Sequence, residues 1–325
     1  MSNLSVSYLG LKLKSPIIVG SSGLTDSVDK IIKLEEYGAG AVVLKSIFEE
    51  QTNYETGSML NDNAYPEAAD YLSAYVKNNT IEKYLSLIQE SKEKVNIPVI
   101  ASVNCVSVGE WVSFAKMAEE AGADALELNV YVLPTSTKYD SERYETRYYD
   151  IVTAVKNETK IPVAVKLGQH FTNLPSFINN LYKRGADAVV LFNRFYAPDI
   201  NIDKIEFTPA DILSSPQEIR NSLRWVGLIS SVVEEIEVCA STGIHNSSAV
   251  IKQLLAGASA VQVCSALYKN GPEYIKTLTD ELKQWMNKNT FDEVKEFIGR
   301  LNYKRIKDPK VFERSQFMKY YSDKK

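Results

Sequence analysis

Cysteine is scarce in this chain. Cys105, Cys239 and Cys264 are the only three in 325 residues, and they are odd in number and far apart. That pattern argues against a disulfide framework and against a CxxC metal or iron–sulfur site, so the thiols are expected to stay reduced. Histidine is scarcer: His170 and His245 are isolated, with no HExxH or carboxylate spacing, and no metal is expected. No apolar run approaches the roughly 20 residues a membrane span needs. The N-terminus MSNLSVSYLGLKLKSP lacks the basic region and apolar stretch of a secretion signal. A cytoplasmic chain without a membrane anchor is the expectation. Neither GxGxxG nor a Walker motif occurs, so neither a Rossmann nor a P-loop nucleotide site is supported. A net charge of -4 gives no electrostatic footprint for nucleic acid.

What is abundant is a repeated phrase: EYGAGAVVLKS at 36–46, EAGADALELNV at 120–130, KRGADAVVLFN at 183–193 and LAGASAVQVCS at 255–265. Each reads as a helix end, a glycine that closes it in the left-handed conformation (Gly38, Gly122, Gly185, Gly257), and a buried strand. A second phrase alternates with it: KSPIIVGSSG at 14–23, NIPVIASVN at 96–104, KIPVAVKLG at 160–168 and EIEVCASTG at 235–243. Together they give eight βα units with near-continuous apolar strands, which predicts a closed parallel (β/α)8 TIM barrel in a single domain over 1–325. An N-terminal hairpin over 1–13, long loops after the second strand (47–79) and the sixth (194–219), and a charged helical tail at 291–325 complete the expectation. Connections that long are usually lids or binding loops.

In this fold the chemistry lies at the C-terminal ends of the strands. The residues there are Ser21-Ser22-Gly23, Lys45-Ser46, Ser102 with Asn104, Asn129, Lys166, Asn193, Thr242-Gly243 and Cys264-Ser265. Lys45 and Lys166 are expected to point toward a shared cavity, where a buried ammonium needs an anionic or electron-rich partner. A bound cofactor would supply one, and a barrel carboxylate such as Glu127 is the alternative. The stretches STGIHNSSA (241–249) and CSALYKNG (264–271) suit a phosphate site at the seventh and eighth loops, where small residues also simply make tight turns. His245 lies beside that loop and could touch a ligand.

In this order and spacing the set resembles the FMN-dependent dihydroorotate dehydrogenase family, most of all its dihydroorotate dehydrogenase-like branch. The resemblance rests on VVLKS ending the second strand, Glu127-Leu128-Asn129 on the fourth, Val165-Lys166-Leu167 on the fifth and Asn193 on the sixth. Thr242-Gly243 stands where the family has paired glycines, and Cys264-Ser265 where it has a glycine and a hydroxyl residue. The resemblance implies FMN held by Ser21, Ser22, Gly23, Lys45, Ser46, Asn104, Asn129, Lys166, Asn193, Thr242, Gly243, Cys264 and Ser265. Lys45 would lie near the reacting flavin ring. It implies hydride exchange at flavin N5 with a small anionic dihydro or unsaturated ring compound, dihydroorotate first, and hence pyrimidine biosynthesis. Asn129 and Asn193, with Asn61 and Asn63 from the loop GSMLNDNAYPEA, are the expected substrate contacts.

Members that oxidise dihydroorotate carry a cysteine or serine base after the ELN motif. Here the segment is Val130-Tyr131-Val132-Leu133-Pro134. Phenols, with pKa values of about 10, suit proton donation better than abstraction at neutral pH, so Tyr131 is the candidate acid. Packing over the flavin or closing the pocket is the alternative role for its ring. Three functions follow: a flavin oxidoreductase, a flavin-binding protein with lost or altered catalysis, and a flavin-free phosphate-handling lyase or isomerase, against which Lys45, Asn129, Lys166 and Asn193 count. A homodimer and a separate electron-acceptor protein are the macromolecular partners the resemblance allows.

Overall fold

A computed structural model describes residues 2–48, 66–105, 107–195 and 197–313. The chain opens with the expected hairpin, β1 (Val6–Tyr8) paired antiparallel to β2 (Leu11–Leu13). The backbone N–H of Leu9, at its turn, donates to the carboxylate of Glu237.

The barrel strands follow in chain order: β3 (Ile17–Val19), β4 (Ala41–Val43) with its short continuation β5 (Ile47–Phe48), β6 (Val99–Asn104), β7 (Ala125–Leu128), β8 (Val163–Leu167) and β9 (Ala188–Leu191). After an excursion, β12 (Glu237–Ala240) and β13 (Ala260–Val263) complete the set. Each pairs parallel to the next, and β13 returns to β3, so the sheet closes on itself as an eight-stranded barrel. Closure leaves apolar side chains no route to water: Val42, Leu126, Val165, Val189 and Val261 are all fully buried.

The four repeated glycines close their turns as the sequence predicts, with φ of 100° at Gly38, 93° at Gly122, 99° at Gly185 and 120° at Gly257. The helices lie outside the sheet with one apolar stripe each. In Leu174–Lys183 the buried residues Leu174, Phe177, Ile178 and Leu181 fall at helical spacing, and the Asn173 side chain caps the first turn by accepting from the N–H of Ser176. At the start of β12, Glu237 receives the hairpin, which therefore covers the end of the barrel opposite the mouth.

The second barrel strand is broken. Between β4 and β5 the chain runs through Leu44, Lys45 and Ser46, while β6 continues straight past it. The helix Pro66–Lys94 fills the gap. Its Tyr84 hydroxyl donates to the carbonyl of Ser102 (3.0 Å) and accepts from the Ser102 N–H (2.7 Å). Inside the break, Ser46 Oγ bridges Ser21 Oγ (3.0 Å) and Ser102 Oγ (2.6 Å).

The long sixth connection carries structure of its own, the antiparallel pair β10 (Pro198–Asn201) and β11 (Glu206–Pro209). Ile200 and Phe207 face each other across it and are 58% and 77% exposed. The C-terminal segment departs from the expected helical tail. Its described part is a short 3-10 turn at Val294–Glu296 and a single helical turn at Lys310–Glu313. Val294 and Phe297 are fully buried, and the backbone N–H groups of Gly299, Leu301 and Tyr303 donate to Leu254, Leu255 and Gly227. Backbone bonds spent on the barrel's outer helices cannot also close a helix, which is why the charged pattern misled. Among the described residues no helix is long and apolar enough to cross a membrane.

Removing the Tyr84 hydroxyl leaves two buried backbone groups of Ser102 without a partner. Tyr84→Phe is expected to cost about 2–3 kcal/mol, read as a lower urea midpoint at unchanged m.

Candidate active site

Period-two alternation places Glu127 and Asn129 on one face of β7, Lys166 and Gly168 on one face of β8, and Gln262 and Cys264 on one face of β13. Inside a closed barrel those faces meet. Lys166 Nζ lies 3.1 Å from Gln262 Oε1 and 3.4 Å from Glu127 Oε1, and Gln262 Nε2 donates to the other carboxylate oxygen of Glu127. All three residues are buried. Burial, the largest single influence, pushes the Lys166 pKa down, but the charge and hydrogen bond of Glu127 together with the nearby Cys264 and Cys239 outweigh it and the net shift is upward, so the side chain stays charged. The carboxylate partner weighed from sequence is therefore real for Lys166. Gln262 carried no signal beyond its place in a strand.

Above this triad lies a cavity of about 490 Å³. It gathers Ser21, Lys166, Asn193, Thr242, Gly243, Cys264 and Ser265 from the expected site set, and two cations but no carboxylate line it. Asn193 Nδ2 donates to Asn129 Oδ1 (2.7 Å), joining the ends of β9 and β7. Ser46 is buried and reaches the cavity only through Ser21. Ser22 hydrogen-bonds the Gly20 carbonyl at 3.1 Å, and Asn104 is half-buried at the end of β6. At Gly23 a β-carbon would stand 2.9 Å from the hydroxyl of Tyr268, another cavity residue. Lys45 is exposed and does not line this cavity, so the two lysines do not share it as expected. Lys45 stands in the interruption between β4 and β5. Asn61 and Asn63 lie outside the described residues.

The seventh loop is held in a strained turn. Thr242, a β-branched residue, sits at φ 73°, and its hydroxyl donates to the Phe192 carbonyl at 2.9 Å. At Gly243, φ is 79°, and a β-carbon would stand 2.2 Å from the backbone nitrogen of Ile219, so no side chain fits. Asn246 then caps the helix Ser247–Ala256, whose N-terminus carries partial positive charge. Burial pushes the Cys264 thiol up, with Lys166 opposing, which keeps it a thiol.

One wall of the cavity, Ile212 to Ser214, belongs to the long connection 194–219 expected to be a lid or binding loop, although its individual residues were not singled out. Arg194 donates to the carbonyls of Ile212 and Asp211, both at 2.6 Å, and pairs with Glu218 at 3.2 Å. Lys269 donates to the Ser214 carbonyl (2.9 Å), the Ser214 N–H donates to Ser265 Oγ (3.0 Å), and Ser214 Oγ contacts His245 Nε2 (2.9 Å). Burial pushes the pKa of His245 down, Lys269 adds to this and Glu218 opposes it. The signals available in sequence were the length of the 194–219 connection and the position of Arg194 directly after Asn193.

Tyr131 stands apart. It is 40% exposed and its ring stacks on Phe195 at 4.0 Å between centroids, at the edge of a different cavity. Tyr131 does not line the larger cavity; the packing the geometry displays is against Phe195. Among the described residues no cluster of His, Cys, Asp and Glu could hold a metal.

Comparison with known proteins adds three findings of one kind. The family model described as dihydroorotate dehydrogenase matches residues 3–286. A Thermoplasma volcanium protein named dihydroorotate dehydrogenase B (NAD(+)), catalytic subunit, is 30% identical over 308 residues, spanning 92% of this chain and 98% of its own. Pyrococcus abyssi has a protein of the same name, 31% identical over 309 residues, 91% of this chain and 98% of its own.

Two outcomes test this geometry. Glu127→Gln strands a buried ammonium and is expected to cost about 3 kcal/mol or more, measured by chemical denaturation. His245 resists protonation in the fold and not in the unfolded chain, where its ordinary pKa is 6.5. Its contribution to stability is therefore present above that pH and is lost as pH falls through it toward the depressed folded value. His245→Asn should flatten the difference in denaturation midpoint between pH 7.5 and pH 5 relative to wild type; equal slopes in the two proteins would refute the assignment.

Proposed function

Since the chain belongs to the dihydroorotate dehydrogenase family, we propose that it is an FMN-dependent oxidoreductase acting on the CH–CH bond of a small ring compound, with dihydroorotate to orotate as the leading candidate. The observation that carries this reading is the cation-lined cavity of about 490 Å³ at the barrel mouth, where Lys166, Asn193, Thr242, Gly243 and Ser265 converge.

The residues present fit an anionic, flat cofactor. Gly243 holds the seventh loop at φ 79°, packed against the Ile219 backbone, and leaves its cavity side free of a side chain; no carboxylate opposes an anion on the cavity wall. When bound, FMN would supply an N5 position that exchanges hydride with substrate. Thr242, Gly243, Cys264 and Ser265, with the N-terminus of the helix Ser247–Ala256, would hold its phosphate. Lys166, kept charged by Glu127, would balance negative charge on the ring, and Ser21, Ser22, Gly23, Ser46 and Asn104 would shape the cradle. Lys45 would reach in from the strand break. Asn129 and Asn193, held to each other, would orient the substrate, while the Ile212–Ser214 wall excludes water. Tyr131 is the proposed proton donor in the direction that reduces an unsaturated ring, where hydride comes from reduced flavin and a carbon of the substrate gains a proton.

A second reading, a flavin-binding protein with altered catalysis, is favoured by one observation: the phenol of Tyr131 is exposed and stacked on Phe195, and neither cysteine nor serine follows Asn129 before Thr135. The words "catalytic subunit" in the relatives' names support a separate partner subunit that would take the electrons on.

An anaerobic absorbance titration distinguishes these. FMN reconstitution is expected to give a flavin spectrum that dihydroorotate bleaches. Lys45→Ala, an exposed change, should weaken FMN binding about tenfold or more at unchanged melting temperature. Tyr131→Phe keeps the ring stack and should lower turnover by about 10²–10⁴ if the phenol is the acid. Unchanged turnover would assign Tyr131 to packing, flavin that stays oxidised would favour the second reading, and failure to bind FMN would sink both.

A further inference from the structure

A second cavity, of about 240 Å³, opens at the same end of the barrel, walled by the loop after β7, the first turns of the helix Ser141–Glu158 and the residues after β8. It borders the first without merging with it. Strand β8 lends Lys166 to one and its following residue Gly168 to the other, and Phe195 lies two residues beyond Asn193. Phe195 rests against Gly168 so closely that a β-carbon there would stand 2.6 Å from its ring. Tyr131 stacks on the same ring at 4.0 Å, and the His170 ring lies parallel to it at 6.1 Å and 18°. The second cavity is therefore backed by a stack of flat rings whose spacing only glycine at 168 permits.

The lining of this cavity differs in kind from its neighbour. Tyr131, Tyr144, His170 and Phe171 present ring faces and edges, and its two formal charges are the carboxylates of Asp140 and Glu145. An anion would meet those carboxylates with no lysine or arginine among the described lining residues. A cation gains little either, because the Arg143 guanidinium already lies 5.6 Å over the ring of Tyr139 and Arg147 adds positive charge close to Tyr148. The phenol oxygens of Tyr144 and Tyr148 accept from the N–H groups of Ser136 and Val132, both at 3.3 Å. Each phenol keeps its own O–H to donate.

We propose that this cavity is a second ligand site, for a flat, uncharged, conjugated ring that carries a carbonyl or hydroxyl oxygen. Flat rings stack on the aromatic wall, the oxygen takes a phenolic O–H, and the carboxylates at the rim reject anions. The site stands beside the proposed flavin cavity and does not depend on FMN for its shape, so the two readings fail separately.

The matched pair 2-naphthol and 2-naphthoate tests it, because the two share a ring and differ in charge at neutral pH. In equilibrium dialysis against the full-length protein, with and without FMN, 2-naphthol is expected to bind saturably at one site with a dissociation constant below about 1 mM. 2-Naphthoate should bind at least tenfold more weakly. Glu145→Lys, a partly exposed charge reversal, should strengthen 2-naphthoate binding about tenfold and move 2-naphthol less than threefold. The proposal is overturned if neither compound saturates, if 2-naphthoate binds wild type as well as 2-naphthol does, if Glu145→Lys leaves 2-naphthoate unmoved, or if FMN displaces 2-naphthol one for one. The last result would put the ring in the neighbouring cavity.

Discussion

The buried contact of Lys166 with Glu127 and Gln262 organises the mouth of this barrel. An ammonium and a carboxylate taken out of water lose several kcal/mol of hydration each, and the loss is offset only where the two charges face each other and their remaining hydrogen-bonding capacity is used. Here the amide of Gln262 accepts from the lysine and donates to the carboxylate, so both demands are met by one side chain from a third strand. The consequence is mechanical as well as electrostatic. Strands β7, β8 and β13 are pinned across the barrel interior, and the lysine is held charged at the floor of the large cavity.

Everything above that floor is arranged by the ends of the strands. The break between β4 and β5 would expose backbone groups of β6, and Tyr84 satisfies them from outside the sheet while Ser21, Ser46 and Ser102 link hydroxyls inside it. On the opposite rim, Arg194, His245, Ser265 and Lys269 hold the Ile212–Ser214 wall by its backbone and by one hydroxyl. Side chains from several loops and a helix therefore fix a segment, Ile212–Ser214, that is neither helix nor strand. A cavity built this way is preorganised: its cations and its strained turn at Thr242 stand in place before any ligand arrives.

Much of this was legible. The strand ends that sequence singled out do converge: Ser21, Lys166, Asn193, Thr242, Gly243, Cys264 and Ser265 line one cavity, and Asn129 and Ser46 lie one hydrogen bond behind it. They were legible because barrel geometry fixes where a strand ends in space once its place in the order is known. Lys45 escaped that rule, since the strand carrying it is interrupted. Tyr131 escaped it too: two residues beyond the strand end, its direction was set by the ring of Phe195, which a loop after another strand supplies. The C-terminal segment escaped for a third reason, because its helical charge pattern was outweighed by burial of Val294 and Phe297.

The sequence by itself determined the order of the eight βα units, the glycine-closed turns and the polar character of the strand ends, because these follow from periodicity and backbone preference within a dozen residues. Only the tertiary structure decided which of those polar groups meet. Glu127, Lys166 and Gln262 are separated by 39, 96 and 135 residues pairwise. Their contact exists because the sheet closes on itself at one register, and registers are set by packing summed over all the strands. The same holds for the two cavities, one lined by cations and one by aromatic rings, which gather residues from loops after different strands.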